Sequence, residues 1–206
     1  MQKDMQLGTR EELGYLLNKL NLTGVGIEVG VADADFSEIL LQTSKLELLV
    51  LLDAWKNFDT GYTDRNNLED DKQEERYLNV LKRMMPYEQR TYIIRAKCEN
   101  AVKTFSNEMF DFVYLDANHS YEFVSKSLRR WYPKVKKGGL FAGHDYLDGT
   151  MSDGTVFGVK RAVNEFVEEL GNVKLYSTTD DTPFVGNSKT LIEEDKRYFS
   201  WYFIRQ

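Results

Sequence analysis

Cysteine is almost absent from this sequence, as are proline and histidine: one Cys, three Pro and two His in 206 residues. A single thiol, Cys98, excludes an internal disulfide and any metal site built from several thiolates, in keeping with a reducing compartment. No apolar run approaches the roughly 20 residues that a membrane-spanning helix needs. The opening stretch Met1 to Gln6 also lacks the apolar core of a secretory leader, so the expectation is a cytoplasmic protein with no membrane partner. An excess of positive charge is missing too. The formal net charge is -6, which argues against a nucleic-acid surface, and Lys134, Lys136 and Lys137 read as the solvated end of a helix and its loop. There is no internal repeat and no low-complexity tract. The length suits one α/β domain over residues 1–206.

Glycine is scarce where a dinucleotide site would need it. Val25 to Val29 reads as a buried strand, Gly30 as the turn after it, and Ser37-Glu38-Ile39-Leu40-Leu41 as the opening of a helix. Three glycines would let the backbone approach a pyrophosphate. Only Gly30 is present, with Ala34 near the place of a later one, and Glu28 at the strand end would repel a diphosphate. S-adenosylmethionine has no phosphate and carries an amino group and a sulfonium, so this turn suits it better than NAD. The same pattern also describes an ordinary strand-to-helix turn with a solvated Glu28.

Ahead of that turn, Leu13, Leu16, Leu17 and Leu20 stand at helical spacing behind Thr9, which with Glu12 forms a capping box. This gives residues 1–23 as an N-terminal helical extension, expected to pack on the sheet edge. A second strand, Leu46 to Leu52, delivers Asp53 and Ala54. An acid at this offset from the glycine turn can accept both ribose hydroxyls, or can simply cap a loop. Residues 57–76 are polar with Phe58 and Tyr62 embedded, and read as a lid insertion over the binding edge. Tyr77 to Met85 follows as a helix with Leu78, Leu81 and Met85 inward. Thr91 to Ile94 reads as a third strand, after which Lys97 and Cys98 fall beside an adenine, although a lone cysteine is more commonly a small buried residue. Phe110 to Leu115 is a fourth strand leading to Asp116 and His119. Lys137-Gly138-Gly139 is a tight turn before a fifth, Leu140 to Ala142, which leads to His144 and Asp145. Leu147 to Gly158 reads as a loop, Val159 to Leu170 as a helix, Asn172 to Tyr176 as a strand, Ser177 to Lys189 as an exposed loop, and Tyr198 to Ile204 as a closing strand.

Several of these pieces recur together in one family. Asp116-Ala117-Asn118-His119-Ser120-Tyr121-Glu122, then Trp131, Gly138-Gly139, Gly143-His144-Asp145-Tyr146, Gly158-Val159 and Ala162-Val163 make the chain resemble a class I S-adenosylmethionine-dependent methyltransferase of the small-molecule O-methyltransferase branch. The likeness runs from about Gly24 to Val167. It implies a Rossmann-like α/β fold, a seven-stranded, mostly parallel sheet with an antiparallel last strand and helices on both faces. It implies S-adenosylmethionine as cofactor, bound by Glu28, Gly30, Ser37, Asp53, Ala54, Lys97, Cys98 and Asp116, with Ser37 near the methionine carboxylate. Ala34 departs from the family pattern, which has glycine there. The acceptor would be a small molecule whose hydroxyl proton is removed by His119, His144 or Asp145, with His119 favoured as base. Either histidine could instead only shape its loop. Relatives hold a divalent ion on carboxylates at these strand ends, which makes Asp116 and Asp145 candidate ligands. His144 stands where some relatives carry another acid, which favours a softer ion than magnesium. Two other classes stay open: a module that binds the cofactor without transferring methyl, and a nicotinamide-dependent oxidoreductase. A homo-oligomer is also left open.

Overall fold

Strands β1 (Val25–Val29), β2 (Leu48–Asp53), β3 (Thr91–Arg95), β4 (Phe110–Leu115) and β5 (Val135–Gly143) lie parallel in the computed structural model, which describes residues 5–58, 61, 63–151, 154–179 and 198–206. Two short strands, β8 (Tyr176–Ser177) and β9 (Trp201–Ile204), complete a seven-stranded sheet in the order 3-2-1-4-5-9-8. β9 runs antiparallel to β5. This is the Rossmann-like α/β architecture that the resemblance implies, with the crossover at β1 and β4 opening the carboxyl edge to a ligand.

Strand side chains alternate between two buried faces. Ile27, Val29, Val50, Leu52, Val113 and Phe141 point to the face covered by α4 (Cys98–Ala101), α5 (Tyr121–Trp131) and α6 (Val159–Leu170). Leu49, Leu51, Phe112, Tyr114, Leu140 and Tyr202 point to the face covered by α1 (Leu13–Leu20), α2 (Asp35–Thr43) and α3 (Asp70–Met84). Glu28 pairs in register with Leu51 and Tyr114, so it shares that second face, one residue in from the edge.

Several sequence expectations need correction. α1 packs with α2 over the middle of the sheet, not on its edge: Leu13, Leu16 and Leu17 share a core with Leu40, Phe112, Tyr114 and Tyr202. The polar insert ends earlier than 76, because Asp70 and Asp71 sit in the first turn of α3, where acids favour the helix N-terminus. On α3 the inward face is Gln73, Val80 and Met84, whereas Leu78, Leu81 and Met85 are exposed. Gly138 does not end a turn before β5 but lies within the strand at positive φ, and the β4–β5 register shifts nearby. The expected loop from Leu147 to Gly158 contains a hairpin of β6 (Asp148–Thr150) and β7 (Val156–Gly158). The strand expected over Asn172 to Tyr176 shrinks to β8, and the closing strand begins at Trp201. Ser177 belongs to β8 and Thr178 is buried, not exposed. Tyr62 and residues 180–189 lie outside the described residues.

Candidate active site

The turn after β1 brings the first site residues together. Gly30 has φ +93°, and a Cβ there would fall 1.9 Å from the Asp116 carbonyl oxygen. The β1 turn and the end of β4 are thus in backbone contact, which only glycine permits. Ala32 and Ala34 also adopt left-handed backbone, at φ 49° and 62°. Alanine tolerates this where glycine is usual, at a cost of about 1 kcal/mol each.

Asp53 stabilises the same turn. Its Oδ2 accepts from the N–H groups of Val31 and Ala32 at 2.8 and 3.0 Å, and its Oδ1 from that of Trp55 at 2.8 Å. Trp55, buried and at φ 39°, donates its indole N–H to the Ala32 carbonyl at 3.0 Å. Asp53 therefore has a structural duty at the edge where the sequence placed a ribose. Ala54, half-buried, lies between these two bracing residues.

Glu28 is buried, and the hydroxyl of Ser37 donates to it. Ser37 is itself fully buried. Its hydroxyl is spent on Glu28, so the expected role near a methionine carboxylate does not fit its position. Burial pushes the Glu28 carboxyl up to about 8 despite that hydrogen bond. Below the unfolded value of 4.5 both states are protonated, and stability is lost as pH rises from there through about 8. Each pH unit within that window costs up to about 1.4 kcal/mol. The ligand-free Glu28→Gln protein should lack this slope, so its melting temperature should gain on wild type between those pH values. Parallel melting curves across the window would show that Glu28 ionises freely.

Lys97 and Cys98 lie after β3. Lys97 is exposed, with its Nζ 5.2 Å from the Phe58 ring centre. Burial and the neighbouring Glu99 push the Cys98 thiol up to about 12, so it is no nucleophile at neutral pH.

The ends of β4 and β5 supply the reactive groups. Asp116, His144 and Asp145 offer ligand atoms that all lie within 4.8 Å of one another. His144 Nδ1 is 3.2 Å from Asp145 Oδ1 and 3.8 Å from Asp116 Oδ2. Asp145 is buried in left-handed backbone at φ 53°. Burial opposes its charge, but the two histidines hold its carboxyl well below the usual range. His119 projects into the same cluster, with Nε2 2.8 Å from Asp145 Oδ2 and Nδ1 3.0 Å from Asp64 Oδ2, and its ring stacks on Phe157 at 4.8 Å. Both ring nitrogens face carboxylates. Burial would lower the pKa of His119, yet Asp145, Asp116 and Asp64 raise it well above its ordinary value. With both ring nitrogens engaged by carboxylates, neither is turned toward an acceptor, which argues against His119 as the base. A pocket beside the cluster is lined by Val29, Leu115, Asp116, His119, His144 and Trp201.

The sequence profile of a methyltransferase domain matches residues 27–146, more than half of the chain and the span that holds every residue of this cluster. The chain belongs to that methyltransferase family. It is accordingly an S-adenosylmethionine-dependent enzyme of class I. No curated protein sequence matches it. Among solved structures it is similar to the O-methyltransferase TomG from Streptomyces achromogenes, involved in tomaymycin synthesis and solved with S-adenosylmethionine. There the TM-score is 0.60 at 13% identity, over 95% of this chain and 79% of that one. It is also similar to the tRNA methyltransferase TrmI from Aquifex aeolicus, with TM-score 0.55 at 11% identity, over 100% and 72% of the two chains. A third likeness is to precorrin-6y C5,15-methyltransferase from Geobacter metallireducens, with TM-score 0.55 at 12% identity, over 100% and 93%. Likeness at this level is one of fold, and the fold serves unrelated acceptors.

Four residues of the methyltransferase's site escaped the sequence reading. Arg10 lies 3.5 Å from Asp116, Asp64 pairs with His119, Phe157 stacks on it, and Trp55 braces the turn. Asp64 is one acid among many in a polar insert, and Arg10 sits in a segment read only for its cap. Neither carries a motif. Trp55 directly follows Asp53-Ala54, so its place beside the turn could have been read from the strand end.

Proposed function

We propose that this methyltransferase transfers a methyl group to a hydroxyl oxygen of a small-molecule acceptor, at a divalent ion held by Asp116, His144 and Asp145. The observation that carries the reading is the convergence of two carboxylates and an imidazole beside the Gly30 turn. Two oxygen donors and one nitrogen fit a borderline ion such as manganese, iron or zinc better than magnesium. Bound there, the ion would lower the pKa of an acceptor hydroxyl; the cofactor supplies an already activated methyl. The chain's own residues then have positioning to do. Asp116 lies where the positive end of the cofactor would be favoured, and Asp53 keeps the turn in shape for it. His119 orients Asp145 from one side while Asp64 holds His119 from the other.

Asp64 belongs to the insert, and we read residues 57–69 as a lid whose docking on His119 screens the reaction from water. The insert is stitched at its base, where Phe58 and Asn67 exchange two hydrogen bonds of 2.8 and 3.0 Å. We take residues 1–206 as one domain. No helix among the described residues is long and apolar enough to cross a membrane, and the single cysteine supports a cytoplasmic setting. A negative net charge supports a small acceptor over nucleic acid.

Transfer of labelled methyl to a panel of hydroxylated small molecules tests the reading. Turnover should fall about tenfold or more in chelator and return with manganese or iron more fully than with magnesium. Full activity in chelator removes the ion from the proposal. Methylation confined to amine or carbon acceptors removes the hydroxyl.

A further inference from the structure

The N-terminal segment is fastened to the far end of the chain. Gln6 donates its side-chain amide to the Ser177 carbonyl at 2.7 Å, and Leu7 N–H donates to Tyr202 Oη at 3.1 Å. Tyr202 in turn donates to the Met5 carbonyl at 2.7 Å, and Thr179 N–H to that of Gly8 at 3.0 Å. Glu12 reaches back to the N–H groups of Gly8 and Thr9 at 2.6 and 3.4 Å. These bonds hold Met5 to Glu12 across the open edge of the sheet and fix where the side chain between them goes.

That side chain is Arg10. Its guanidinium carbon lies 5.0 Å from the Phe36 ring centre, and Nη1 is 3.5 Å from Asp116 Oδ2. Phe36 belongs to the helix opened by the Gly30 turn, and its ring rests on Tyr114 at 4.4 Å. Burial opposes the charge of the guanidinium, and Asp116 beside it favours the charged form. Only 17% of the side chain is exposed. A cation is thus set over the turn from outside the segment that the family profile matches.

We propose that Arg10 is a cofactor-binding residue whose guanidinium receives the carboxylate of the methionine end of S-adenosylmethionine. The inference rests on the reading that this end lies over Glu28, Gly30 and Asp116. The methionine end carries both an ammonium and a carboxylate. Asp116 suits the ammonium and would repel the carboxylate, which needs a cation of its own. Ser37 cannot serve it, being buried and committed to Glu28. Arg76, Arg95 and Lys97 are turned toward Asp33, Glu74 and Phe58 respectively. Arg10 faces the place, and a planar guanidinium grips a carboxylate in two parallel hydrogen bonds where lysine offers a point charge. The segment from Met5 to Glu12 is then part of the cofactor site.

Calorimetry with S-adenosylhomocysteine and with its decarboxylated analogue, which keeps the amine and adenosine, tests this without any turnover. Wild type should bind the carboxylate-bearing ligand about tenfold or more tighter than the analogue. Arg10→Ala should lose that preference while holding the analogue within about twofold of wild type, and Arg10→Lys should recover part of it. Equal affinities of wild type for the two ligands overturn the proposal, and this comparison needs no variant to fold. An Arg10→Ala protein that loses both ligands alike overturns it as well, because Arg10 then only braces the site. Wild type that binds neither ligand overturns the cofactor placement itself, and the proposal with it.

Discussion

Methyl transfer by the Asp145→Asn protein should be roughly a thousandfold slower than wild type, a loss within the range for groups that handle an acceptor's proton, while S-adenosylhomocysteine binds within about twofold. Asp145 lies within hydrogen-bond reach of both histidines, at 2.8 and 3.2 Å. Without its charge, the two imidazoles lose the anion that orders them, and a divalent ion loses a ligand. Asparagine is the informative replacement because it tolerates the left-handed backbone at φ 53°. The peptide therefore keeps its path while the charge goes. Rapid transfer by this variant would move the chemistry away from the cluster. An equal loss of cofactor affinity would show that Asp145 holds the fold of the edge and not the acceptor.

The Gly30→Ala protein should show no measurable affinity for S-adenosylhomocysteine and should be destabilised by about 3 kcal/mol or more, the range of severe core lesions. Its new methyl would meet the Asp116 carbonyl at 1.9 Å, the Asp116 carbonyl carbon at 2.4 Å and Ala117 Cα at 2.8 Å. All three are backbone atoms. Gly30 N–H also donates to the Leu52 carbonyl, and Asp116 N–H to that of Val29, both at 2.8 Å. Relief would need β1 and β4 to part at their ends, which breaks the second of these bonds and spreads Glu28 from Asp116. Wild-type melting and binding in this variant would mean that the turn has slack the structure does not show.

The strands around the site were legible in the sequence because each is buried on both faces and so reads as a mainly apolar run with an acid at or next to its end. β1, β2 and β4 end at Glu28-Val29, Asp53 and Leu115-Asp116, as read. α6 was legible because Val159, Val163 and Phe166 form one stripe with nothing apolar opposite. α3 failed for the converse reason. Leu78, Leu81 and Met85 make as good a stripe as Val80 and Met84, and only the sheet beneath decides which turns inward. Motif order brought Asp116, His119, His144 and Asp145 to one edge. It could not say that the insert would lend Asp64 to His119, and that second carboxylate is what argues against His119 as a base. Ser37 was misread at the same level: its position beside the turn was legible, but the direction of its hydroxyl depends on how deeply Glu28 is buried.

The bonds between Met5 to Gly8 and Ser177, Thr179 and Tyr202 also bear on how the molecule assembles. Contacts that join residues more than 170 positions apart close very long loops and carry a high entropic cost of closure. During synthesis β1 to β5 can pair as they emerge, yet β9, which holds Tyr202, is made last. Until it docks, Met5 to Gly8 lack their partners, and Arg10 is not held above Phe36. Completion of the edge is tied to synthesis of the closing strand.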